Sequence, residues 1–201
     1  KMKYHKSIIT KLFFLVMILN SLLSFAQDKP YWKEIQEFKK LDHTNGIPKK
    51  PILFLGSSSF TYWKDVNDYF PNKNILNRAF GGSRLLDLNN YSEELLTPYY
   101  PRQIVIYCGE NDIAMDNPSA AEVVDRFKVF FGKIRAKYPK VPLAYVSAKY
   151  SPSREQFWPK MKEMNEGIEA FLKTQKKAKY IDITKVMNDE NGKVRLSTST
   201  N

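Results

Sequence analysis

Short, almost wholly apolar runs alternate with stretches in which apolar residues recur every three or four positions. The runs at residues 51–55, 74–79, 103–108, 142–146 and 180–183 have the length and composition of buried strands. Between them, residues 60–69, 83–96, 119–138 and 155–176 carry helical spacing, seen best in Val123, Phe127, Phe130, Phe131 and Ile134. Asn117-Pro118-Ser119 supplies a start signal for the third of these helices. Ahead of the first strand, Trp32, Ile35, Phe38 and Leu41 predict an amphipathic helix over 30–42, broken by Asn45-Gly46 and Pro48. Strands that alternate with helices imply βαβ units, a parallel sheet and right-handed crossovers. The expected fold is therefore α/β: a three-layer sandwich with a five-stranded parallel sheet and helices on both faces. The chain contains no internal repeat.

The N-terminus departs from this pattern. Lys1, Lys3, Lys6 and Lys11 precede an apolar stretch from Leu12 to Leu23, and Ser24-Phe25-Ala26 follows. A basic lead, an apolar core and a small-residue site are the parts of a secretory signal peptide. Residues 1–26 are expected to be that peptide, with residues 27–201 as the domain and a secreted or periplasmic location. The apolar core is shorter than the ~20 residues of a comfortable membrane span. An uncleaved anchor is the alternative.

Composition narrows the picture further. The chain has 201 residues, 43% hydrophobic and 26% charged, which suits one globular domain. Residues 1–26 hold four lysines and no acid, so their removal lowers the formal charge from +11 to +7. The remaining lysines are scattered, apart from Lys173, Lys176, Lys177 and Lys179. Such a surface favours solvation and weak attraction to acidic polysaccharide or envelope surfaces. No nucleic-acid module is present, and no stable membrane span is expected once the signal is removed. Cys108 is the single cysteine, which excludes an intrachain disulfide. Its place at the end of an apolar run predicts a buried, inert thiol.

The candidate chemistry lies where three predicted strands end. Gly56-Ser57-Ser58-Ser59, Asn77-Arg78-Ala79-Phe80-Gly81-Gly82 and Gly109-Glu110-Asn111-Asp112 each follow an apolar run. Strand ends on one edge of a parallel sheet are where α/β folds build their sites. A serine at a helix N-terminus would meet backbone amides able to stabilise an oxyanion. Each segment also has a plainer explanation. Serines cap helices, a glycine turn with a helix start binds anions, and the other two segments are ordinary turns. The three together, in this order, are more specific than any one.

On these residues the chain resembles the SGNH hydrolase superfamily, also called GDSL esterases and lipases. Gly56-Ser57-Ser58-Ser59 matches its Gly-Asp-Ser-Leu block, with Ser58 on the nucleophile and Ser57 on the aspartate. Gly82 falls on the oxyanion glycine of the second block. Gly109-Glu110-Asn111-Asp112 matches Gly-x-Asn-Asp, with Asn111 on the oxyanion asparagine. The similarity runs from about Trp32 to Gly192. It includes Ser151-Pro152-Ser153-Arg154, a segment of a secreted bacterial branch with a Gly-Ser-Ser-Ser first block. The resemblance implies a flavodoxin-like fold and hydrolysis of carboxylic esters, with acetylated sugars and short acyl lipids as substrate classes. It implies Ser58, Gly82 and Asn111 as catalytic residues, a small-molecule or saccharide ester as partner, and no metal or cofactor.

The chain then departs from the family pattern. An Asp-x-x-His block is expected after the fifth strand, but Asn191-Gly192-Lys193-Val194-Arg195-Leu196 leads into Ser-Thr-Ser-Thr-Asn. The histidines are His5 and His43, and His43 is expected on a surface loop. A domain lacking its C-terminal end, with impaired activity, is the resulting expectation. Two other readings stay open: a non-catalytic carbohydrate-binding or scaffolding relative, and a flavodoxin-like anion or nucleotide binder using the Gly56–Ser59 loop.

Overall fold

The computed structural model of the protein describes residues 29–187. The expected signal peptide lies outside the described residues. The chain divides into two units, residues 1–36 and 37–201. The described part of the first, residues 29–36, contains the beginning of helix α1 (Trp32–Asn45).

The second unit is built on five parallel strands. These are β1 (Ile52–Gly56), β2 (Ile75–Asn77), β3 (Gln103–Tyr107), β4 (Leu143–Val146) and β5 (Ala178–Ile181), in the order β2-β1-β3-β4-β5. This doubly wound order places the β1 end between those of β2 and β3, where the chain reverses its direction across the sheet. Pairing is in register from Ile52 opposite Gln103 to Gly56 opposite Tyr107, and from Leu143 opposite Ala178 to Val146 opposite Ile181. β5 starts two residues earlier than the apolar run suggests. Its Lys179 is exposed at the sheet edge and masks the strand in a hydropathy pattern.

Helices occupy both sides of the sheet. α6 (Ala120–Lys137) and α7 (Trp158–Lys173) bury Val123, Phe127, Phe130, Ile134, Met161, Met164, Ile168 and Leu172. The Phe127 ring meets Tyr145 of β4 edge-on at 4.9 Å, which fixes α6 against that face. Ser119 caps α6 by accepting a hydrogen bond from the Glu122 N–H at 3.2 Å, as its sequence signal predicts. On the other face, Phe54, Val105, Tyr107 and Ala144 pack with Phe60 of α2 (Ser58–Thr61) and Val66 of α3 (Val66–Tyr69).

Three predicted helices are shorter than their apolar periodicity suggests. Residues 60–69 divide into α2 and α3, with the polar Lys64-Asp65 pair at the break. Residues 83–96 divide into α4 (Leu85–Asn90) and α5 (Ser92–Leu96) at Tyr91. The 155–176 stretch opens as a 3-10 segment, Pro152–Phe157, before α7 begins at Trp158. Pro159 has no N–H to extend a helix backward, but it fits the first turn of a new one. After β5 comes a single turn, α8 (Thr184–Met187). Among the described residues no helix is long and apolar enough to cross a membrane.

Candidate active site

The three strand-end segments follow neighbouring strands, and they are hydrogen bonded to one another. Gly56 leaves β1 at φ +141°, a conformation that disfavours side chains. Its carbonyl accepts hydrogen bonds from the Phe80 N–H at 2.9 Å and the Ser83 hydroxyl at 3.0 Å. Ser83 is fully buried, and its own carbonyl accepts from the Asn111 carboxamide Nδ2 at 3.0 Å. The turn after β1, the loop after β2 and the loop after β3 therefore form one connected edge. Ser58, Gly82 and Asn111 lie on these three segments in turn.

Ser58 is the first residue of α2 and is half-buried. Ser57 before it is buried and occupies the N-cap position, but its side chain makes no capping hydrogen bond. A plain capping role for the serine run is thus not realised at Ser57. α2 is a single turn, so it offers an anion far less than the long helix expected from the sequence. Gly82 adopts φ +80°, the left-handed region that a turn toward α4 requires. Gly109 turns out of β3 at φ +131°, and a methyl group there would fall 2.8 Å from the Met164 sulfur.

Asn111 is buried and held from both ends. Its Nδ2 donates to the Ser83 carbonyl, and its Oδ1 accepts from Arg154 Nη2 at 2.7 Å. Glu110, also buried, accepts from the Tyr107 hydroxyl and from the Lys149 backbone N–H at 3.0 Å. Its second oxygen lies 3.6 Å from Arg154 Nη1. The Lys149 ammonium donates to the Ser59 hydroxyl at 3.0 Å. Asp112 accepts from the Leu85 N–H and from Arg126, each at 2.8 Å. It therefore anchors the β3 loop to α4 and α6 and is no part of the serine-facing edge.

Burial dominates the electrostatics here. It raises the Asp112 carboxyl above its ordinary value, against the opposing pull of the Leu85 N–H and Arg126. It raises the Tyr107 phenol, with the Glu110 carboxylate reinforcing the shift, so Tyr107 remains a hydrogen-bond donor. Cys108 is buried and its thiol is raised well above normal, as expected for an inert cysteine. The acidic groups near α4 are neutralised: Arg84 pairs with Asp87 and Asp116, and Arg126 with Asp112, Asp116 and Glu122. Among the described residues no group of three His, Cys, Asp or Glu side chains is placed to hold a metal ion.

His43 lies exposed in the last turn of α1, so the expected surface position holds but the loop assignment does not. Sequence reasoning did not single out Ser83, Lys149 or the charge of Glu110 as parts of this edge. Ser83 directly follows the glycine pair and could have been included with it. Lys149 carries no signal of its own, because it meets Ser59 only across the assembled sheet.

Comparison with known proteins agrees with this architecture. The chain belongs to the GDSL-like lipase/acylhydrolase family, whose model matches residues 54–200. No curated protein matches the sequence. Among solved structures, a Streptococcus pneumonia protein provisionally named as a platelet activating factor is similar at TM-score 0.73. It is 19% identical, and the match covers 93% of this chain and 88% of that one. A provisionally named acylhydrolase from Bacteroides fragilis NCTC 9343 is similar at TM-score 0.69 and 18% identity, over 86% of this chain and 88% of that one. A GDSL-like lipase from Bacteroides thetaiotaomicron VPI-5482 gives 0.64 and 18%, over 79% and 83%. Similarity at this level of identity speaks to the fold. Family membership makes the protein a hydrolase in general terms.

Proposed function

We propose that the chain is a secreted SGNH-type serine esterase acting on small acyl esters, with acetylated saccharides and short acyl lipids as substrate classes. Ser58 Oγ attacks the ester carbonyl. The backbone amides of Ser58 and Gly82 and the Asn111 carboxamide hold the oxyanion. The alcohol leaves, and water then releases the acyl group from Ser58.

The observation that carries this reading is the bond from Asn111 Nδ2 to the Ser83 carbonyl at 3.0 Å. It joins the asparagine loop to the residue whose hydroxyl holds the carbonyl of Gly56, two residues before Ser58. A carboxamide nitrogen has two N–H groups. One is used in this bond, and the other is assigned to the substrate oxygen.

The serine still needs a base. The histidines within the 201 residues are His5 and His43, and neither follows β5. Loss of the base costs on the order of 10⁶ in turnover, while oxyanion donors alone retain roughly 10³–10⁴ over water. Residues 27–201 alone are therefore expected to hydrolyse an acetyl aryl ester barely above background. Appending a segment with Asp-x-x-His should raise turnover by several orders of magnitude, and Ser58→Ala should abolish that gain. Full turnover by residues 27–201 that survives Ser58→Ala would overturn both the nucleophile and the argument from the base. A second reading is a saccharide-binding relative without turnover. Saturable binding of an acetylated sugar with no hydrolysis after the segment is added would support it.

A further inference from the structure

We infer that Arg154 is a positioning residue that fixes which face of the Asn111 carboxamide meets the substrate. This rests on the oxyanion reading of Asn111 and adds to it the residue that makes that reading work.

An asparagine carboxamide has two opposite ends, and only one of them helps an oxyanion. With its oxygen toward the substrate it would repel the developing charge, and with its nitrogen there it donates. A flip exchanges the two at little steric cost, so the neighbours must decide. Here both neighbours choose the same orientation. The Ser83 carbonyl can only accept, and it lies 3.0 Å from Nδ2. The Arg154 guanidinium can only donate, and its Nη2 lies 2.7 Å from Oδ1. A flipped amide would set oxygen against oxygen and nitrogen against a cation.

Arg154 is itself held in place for this task. Its backbone sits in the 3-10 segment at φ −126° and ψ 24°, outside the helical region. Its Nη1 is buried and makes no hydrogen bond, with Glu110 Oε2 as its ionic neighbour at 3.6 Å. The other oxygen of Glu110 is committed to the Tyr107 hydroxyl and the Lys149 N–H. A chain of contacts thus runs from the ends of β3 and β4 through Glu110 and Arg154 to Asn111. The guanidinium is thus held between the Asn111 carboxamide oxygen and the Glu110 carboxylate.

The test uses Arg154→Met, Arg154→Lys and the parent chain carrying the appended Asp-x-x-His segment. In ¹⁵N-labelled protein the Asn111 side-chain NH₂ should give two well-separated proton signals with slow solvent exchange. Arg154→Met should bring them together and speed their exchange, while backbone signals in β1 and β3 stay put. For an acetyl aryl ester, Arg154→Met should lower kcat by roughly 10- to 100-fold, the range expected for a misplaced catalytic group, with KM changed less than about twofold. Arg154→Lys should recover part of the loss. Unchanged Asn111 amide signals in Arg154→Met would overturn the proposal, as would a loss confined to KM, which would make Arg154 a substrate contact. Failure of the oxyanion reading looks different: Asn111→Ala would then leave kcat intact, whatever the amide signals show.

Discussion

Gly56 lies so close to Tyr107 that a methyl group on its Cα would fall 1.9 Å from the Tyr107 carbonyl oxygen. The same carbonyl accepts the Ser57 N–H at 3.0 Å. The serine turn can leave β1 only because this residue has no side chain and adopts φ +141°. Gly56→Ala should therefore prevent accumulation of folded protein. Gly132, inside α6, has open space where a side chain would go. Gly132→Ala should raise stability by about 1 kcal/mol through helix propensity. Urea unfolding of both variants checks the pair, and a folded Gly56→Ala of parent stability would refute the steric argument.

A second prediction concerns the buried cation below the β2 loop. Arg78 Nε donates to the Tyr99 hydroxyl at 2.9 Å, and that hydroxyl donates to Asp42 at 2.7 Å. Arg78 also pairs directly with Asp42. Its guanidinium lies 5.3 Å from the Phe38 ring centre. Removing only the cation leaves a buried carboxylate unpaired, which costs about 3 kcal/mol or more. Arg78→Met should show that loss in denaturant unfolding, and adding Asp42→Leu should recover most of it. A single-variant loss below ~0.5 kcal/mol, ordinary for a surface change, would mean that the pair is not shielded from water.

The third prediction is a pH dependence at the alkaline end. Tyr138 is buried, and its hydroxyl faces the Leu96 and Tyr99 carbonyls. Burial pushes its phenol up from 10.0 to about 12. The folded protein therefore holds this proton more tightly than the unfolded chain. The resulting stability is fully present below pH 10.0 and is lost as pH rises toward about 12. The parent chain should lose stability over this window faster than Tyr138→Phe, by thermal melting at a series of pH values. Parallel curves would show that Tyr138 titrates alike in both states.

Between α2–α3 and α8 the described residues leave an open cleft of about 670 Å³ on one face of the sheet, lined by Phe54, Trp63, Val105, Val146 and Ile183. These side chains are buried or half-buried and line the cleft's apolar wall, and an apolar wall left uncovered promotes association. Residues 27–201 should enhance the fluorescence of a hydrophobic dye and self-associate with rising concentration in light scattering. A Val146→Lys change in the cleft should diminish both. A protein that stays monomeric and leaves the dye dark would show that the cleft is covered.

Local patterning alone determined much of this protein. The alternation of apolar runs with helical periodicity specified a parallel α/β sheet, because burial on both faces demands continuous hydrophobic strands. Glycines at positions 56, 82 and 109 marked the turns, since positive φ at a strand end leaves a residue-level trace. Those turns bear the serine, glycine and asparagine that resemble a hydrolase site. Tertiary structure decided what no local window contains. Ser59 meets Lys149 across 90 residues and Asn111 meets Arg154 across 43, contacts that exist only once β1, β3 and β4 lie side by side. The helix breaks at Tyr62–Asp65 and Tyr91 likewise leave no mark in the apolar periodicity. Hydrophobic period is a property of neighbours in sequence, whereas the orientation of a carboxamide or a guanidinium is set by neighbours in space.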